Sequence, residues 1–103
     1  MDIDEVGELA ASLEGVRRTV VEGHAQWRYR GRVVARQLDG SRLVIRCTFD
    51  ARDALLRAFP ETFSVPPRYR AHMMVVADLT SGDPGAVEDA LEGAWLLQRR
   101  HFD

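Results

Sequence analysis

Three features of the 103-residue sequence predict an α+β fold. Helix-period apolar stripes occupy its two ends. A central run alternates apolar and polar residues and is punctuated by glycine. A second apolar run, "AHMMVVADL", stands alone between a short helical pattern and the last one. Together they predict an antiparallel sheet of about five strands with three helices packed mainly on one face. A chain of this length builds one core, so residues 1–103 are expected to form a single domain.

Each element has its own warrant. Ile3, Val6, Leu9, Ala10 and Leu13 recur at three- and four-residue spacing, which predicts a helix over about 3–14, stopped by Gly15. Alternation in "RRTVVEGHAQWRYRGRVVARQLDGSRLVIRCTFD" predicts strands at about 17–22, 26–30, 33–38 and 42–48. Asp39-Gly40 carries the strongest turn signal, because hairpin turns that match strand twist need positive φ at both central residues. Asp50 is placed to cap a short helix whose Ala54, Leu55, Ala58 and Phe59 share a face and which Pro60 ends. Pro66 and Pro67 then stiffen an extended approach to a strand so apolar that it belongs in the sheet interior. Asp83 caps a last helix with Pro84 in its first turn, whose stripe of Val87, Leu91, Ala94, Trp95 and Leu97 or Gln98 runs to about residue 100.

Composition narrows the function classes. Apolar residues at 46% and charged residues at 29% are ordinary for a soluble protein, and no run approaches the ~20 apolar residues of a membrane span. The first segment is acidic where a secretory signal is basic, and the lone Cys47 has no partner for a disulfide, so a cytoplasmic monomer is expected. All 14 basic residues are arginine, a bias that suits bidentate recognition of phosphate or carboxylate and that GC-rich coding also produces. Charge is uneven: residues 17–46 carry eight arginines against Glu22 and Asp39, whereas residues 1–16 carry five acids and no base. A basic middle between acidic ends fits a polyanion footprint, although the net charge is −2.

No catalytic constellation is visible. His24, His72 and His101 lack metal-site spacing, so neither metal nor cofactor is expected. Alternation turns Cys47 inward beside Leu43 and Ile45, which predicts an inert thiol. Asp2, Asp4, Glu5 and Glu8 complement the dipole of the first helix. The arginines of the strands are the candidates that remain. Arg28 and Arg30 oppose Trp27 and Tyr29, and Arg42 and Arg46 oppose Leu43, Ile45 and Cys47. The third strand is ambiguous, since Arg32, Val34, Arg36 and Leu38 share one parity and Val33, Ala35 and Gln37 the other.

The order Trp27, Tyr29, Gly31, Arg32, Val34 and Ala35, then Asp39-Gly40, "DARDALLRAFPETF", Pro67 and Tyr69, and "DALEGAWLL" around Trp95 resembles the MmcQ/YjbR family over almost the whole chain. The resemblance implies a CyaY-like, frataxin-like fold of the double-wing type and a DNA-binding label that rests on fold analogy. Iron handling does not come with it. Arg32 stands where the family usually has lysine, and Met74 where a tryptophan is common, so stacking rests on Tyr69.

The reading that follows is a non-catalytic nucleic-acid-binding accessory protein. Arg28, Arg30, Arg32, Arg36, Arg42 and Arg46 lie on its sheet, with Arg68, Tyr69, Arg70 and His72 at the rim. The alternative is a small-molecule or protein-binding module that uses the same surface for an anionic or aromatic ligand. The occurrence of some relatives beside antibiotic biosynthesis genes gives that alternative a sequestering or resistance role.

Overall fold

In the computed structural model, which describes residues 1–103, the order is α1 (Ile3–Ser12), β1 (Val16–Val21), β2 (His24–Tyr29), β3 (Arg32–Gln37), β4 (Arg42–Arg46), α2 (Phe49–Ala58), β5 (Phe63–Ser64), a 3₁₀ turn (Pro67–Tyr69), β6 (Met74–Asp78) and α3 (Pro84–Arg100). The sheet is antiparallel throughout, in the order β1-β2-β3-β4-β6-β5. It has six strands rather than about five. The addition is β5, two residues that pair Phe63 with Ala77 and Ser64 with Val76 and leave β6 in the sheet interior as expected. No helix is long and apolar enough to cross a membrane.

One face of the sheet carries the core. Trp27, Ala35, Ile45 and Val75 line up across four strands, Leu43, Ala77 and Phe63 across three, and α1 and α3 close over them with Val6, Ala10, Val87, Leu91 and Ala94. Burying each large aliphatic side chain here contributes about 2 kcal/mol. Val44 and Val76 are as deeply buried but belong to the opposite, helix-free face.

The hairpins turn where the sequence signal was weaker. Glu22-Gly23 and Arg30-Gly31 have positive φ at both residues, 52° and 80°, then 48° and 82°. That is the signature of the mirror-image turns. Asp39-Gly40 does not adopt it. Its carboxylate Oδ1 instead accepts from the backbone N–H groups of Ser41 and Arg42 at 3.0 and 2.9 Å, which closes a wider loop.

Strand β3 contains a bulge that decides its faces. Trp27 pairs with Ala35 and Arg28 with Val33, so Val34 is an extra residue. Arg32 therefore faces α3, whereas Arg36 faces away from the helices.

Helix α2 departs from expectation at its start and on its inner face. Thr48, not Asp50, caps it, with Oγ1 accepting from the N–H of Ala51 at 3.1 Å. Its buried residue is Arg52, while Ala54 and Ala58 are exposed and Leu55 and Phe59 half-buried. The reason is geometric: α2 sits at the β5/β6 end of the sheet and does not pack along α3, which leaves a cleft between the two helices.

Candidate nucleic-acid interface

The helix-free face is assembled by register. Arg17 and Arg28 stand directly opposite on β1 and β2; Thr19, Gln26, Arg36, Val44 and Val76 form the next row. Like charges placed opposite one another repel, and no carboxylate relieves Arg17 and Arg28. The molecule's one ion pair joins Arg42 to Asp39 at 2.7 Å.

Arg28 is held along the strand. Its Nε and Nη2 donate to Gln26 Oε1 at 3.1 and 2.8 Å, and its Nη1 donates to the carbonyl of Gly31 at 3.0 Å. A guanidinium has five N–H donors, so two remain free. Arg36 spends one, from Nη2 to the hydroxyl of Tyr69 at 2.9 Å, and keeps four. That bond ties the 3₁₀ turn to the far face at Arg36, the cross-strand partner of Val44. The guanidinium carbons of Arg68 and Arg36 lie 4.8 and 5.6 Å from the Tyr69 ring centre. Tyr69 is thus half-buried and already engaged by two cations, and the planes left for stacking are guanidinium planes.

The segment bearing Tyr69 is anchored by Arg52, which the sequence reading passed over. Arg52 is only 9% exposed and has no carboxylate partner. Nη1 donates to the carbonyl of His72 at 2.9 Å, with longer approaches to Tyr69 and Met74, and Nη2 donates to the carbonyl of Arg70 at 3.1 Å. The Phe49 ring lies 4.8 Å away, and Nε has no partner. A signal existed, since Arg52 shares helical phase with Leu55 and Phe59. Arg70 and His72 are therefore tied through their backbones, while their side chains point to solvent.

Four candidates do not join this face. Arg30 leaves β2 for the turn and packs over Tyr29 and Phe102, 5.6 and 5.1 Å from their centres. Arg32 donates from Nε to Gln98 Oε1 on α3 at 2.7 Å. Arg42 lies at the far end of β4, where its side-chain hydrogen bond holds the Asp39 carboxyl below the usual carboxylate range. Nearby, the Ser81 hydroxyl does the same for Asp78. Arg46, at the end of β4 opposite Met74, instead lines a pocket shared with Arg32 and the end of α3.

A cavity of about 450 Å³ occupies the cleft between α2 and α3, lined by Ala51, Ala54, Ala90, Gly93, Leu97 and Cys47. Burial pushes the Cys47 thiol up to about 11, away from thiolate reactivity. No three His, Cys, Asp or Glu side chains come together as metal ligands. No family model, curated protein or solved structure matches the chain.

Proposed function

We propose that this protein is a non-catalytic nucleic-acid-binding protein that uses the helix-free face of its sheet. The observation that carries the reading is the unpaired state of Arg17, Arg28, Arg36 and Arg68, with no carboxylate within 4.0 Å of any of them. A phosphate backbone supplies the missing charge. Arg28 and Arg36 are preorganised for it, because hydrogen bonds to Gln26, Gly31 and Tyr69 fix their planes before a ligand arrives. The molecule measures 30 × 29 × 25 Å, which matches about nine base pairs of duplex at roughly 3.4 Å each.

The resemblance to MmcQ/YjbR proteins points the same way through their DNA-binding label. A cytoplasmic monomer suits the lone buried Cys47, which has no disulfide to form.

Four phosphate contacts predict that log K falls against log salt with a slope of about −3.6 on duplex DNA and about −2.8 on a single strand. Fluorescence anisotropy with a labelled oligonucleotide between about 50 and 200 mM salt measures it. Arg36→Ala is expected to weaken binding and flatten the slope by about one. No binding at the lowest salt, or a slope unchanged in Arg36→Ala, overturns the reading.

A further inference from the structure

At the C-terminal end of α3, side chains from four parts of the chain surround another pocket of about 320 Å³. Arg32 comes from β3, Arg46 from the end of β4, and Arg100 and His101 from the end of α3. Met73 and Leu97 form an apolar wall. No acid lines this pocket, and none of its three guanidinium groups has a carboxylate within 4.0 Å.

The cluster is built. Gln98 is 2% exposed, and its amide is satisfied at both ends: Nε2 donates to the carbonyl of Val33 at 2.6 Å, and Oε1 accepts from Arg32 Nε at 2.7 Å. The bulge at Val34 turns Arg32 to this side, and Gln98 then fixes its plane while leaving four of five N–H donors unused. Gathering three cations without a counter-charge is unfavourable unless an anion completes the site.

We infer that this pocket binds a phosphate monoester. A carboxylate brings one charge and satisfies one guanidinium, whereas a phosphomonoester brings about −1.5 to −2 and three acceptor oxygens. The remaining volume against Met73 and Leu97 takes the compact organic group that bears the phosphate. A free nucleotide and the 5′-terminal phosphate of an oligonucleotide present the same chemistry. Binding here does not depend on the sheet face, since Arg28 and Arg36 are absent from the pocket.

The test compares adenosine 5′-monophosphate with adenosine, and a 5′-phosphorylated with a 5′-hydroxyl oligothymidylate, by thermal shift and calorimetry on the intact chain. At about 1 mM the nucleotide is expected to raise Tm by roughly 4 °C or more, and adenosine to leave it unchanged. Arg46→Gln and Arg100→Gln are each expected to weaken nucleotide binding about tenfold. Arg36→Gln on the sheet face leaves it intact. Preference for the nucleotide identifies a free ligand, and preference for the 5′-phosphorylated oligonucleotide a strand end; either supports the site. Equal responses to phosphorylated and unphosphorylated probes overturn it, as does a loss in Arg36→Gln equal to that in Arg46→Gln. Loss of oligonucleotide binding in Arg36→Ala with nucleotide binding retained separates this site from the sheet face.

Discussion

The hydroxyl of Tyr69 accepts a hydrogen bond from Arg36 Nη2 at 2.9 Å and so joins the 3₁₀ turn to the middle of the sheet. Removing only that oxygen, in Tyr69→Phe, is expected to cost about 1 kcal/mol and lower Tm by roughly 4–8 °C. Oligonucleotide affinity is expected to hold, because the freed donor of Arg36 still meets phosphate. Thermal melts and anisotropy on the same sample check both. A Tyr69→Phe loss of affinity as large as that of Arg36→Ala would place the tyrosine in direct contact with the ligand.

Arg52 fastens the segment that carries Tyr69. Substituting methionine keeps the aliphatic stem but strips the donors from the carbonyls of Arg70 and His72, at an expected cost of about 3 kcal/mol. Lysine rescues part of this, since one ammonium cannot span the geometry of a guanidinium fork. Urea titration gives the cost, and hydrogen exchange gives its location, with faster exchange expected over residues 69–74. Uniform loss of protection across the domain would show that Arg52 supports the core generally.

Two glycines make opposite predictions. A Cβ on Gly82 would run into the carbonyl oxygen of Asp78 and come within 2.9 Å of Thr62 Cγ2, so Gly82→Ala is expected to destabilise by about 2 kcal/mol. A Cβ on Gly93 meets nothing within 4 Å. Gly93 is exposed inside α3, and Gly93→Ala is expected to stabilise by about 0.5–1 kcal/mol. Denaturant midpoints decide, and a shift of the same sign in both variants contradicts the assigned packing.

Cys47 gives the domain an alkaline limit. Burial raises its pKa from 9.0 to about 11 in the folded state, so the native protein holds the proton longer than the unfolded chain. The resulting stability is complete below pH 9 and is lost as pH rises through about 11. Unfolding free energies across that range are expected to slope downward in the native protein and less so in Cys47→Ala. Identical slopes would exclude the thiol as the cause.

Helices, strands and the outer placement of Arg28 are legible in the sequence because periodicity reports which side of an element meets the core. Periodicity fails where the ladder is irregular. One extra residue at Val34 reverses parity along β3, so Arg32 and Arg36 share a sequence phase yet face opposite sides of the sheet. Strand β5 is two residues long and too short to show any period. Arg52 reads as a solvated helix charge until the four carbonyl oxygens near its guanidinium are located. Asp39-Gly40 carries the right residues for a tight turn, but its carboxylate finds better partners in the N–H groups of Ser41 and Arg42.

The separation of arginine from carboxylate also sets how copies of this molecule meet. Asp4, Glu5 and Glu8 lie on α1 and Glu88, Asp89 and Glu92 on α3, while the free Arg17, Arg28, Arg36 and Arg68 lie on the opposite face, so a chain of net charge −2 presents patches of both signs. In dilute buffer near the isoelectric point of 5.9, where net repulsion vanishes, copies attract head to tail. Salt at about 0.1 M shortens the reach of those charges to roughly 10 Å and releases them. Solubility near that pH therefore rises with the first additions of salt, and the same alignment turns an approaching polyanion toward the arginine side before contact is made.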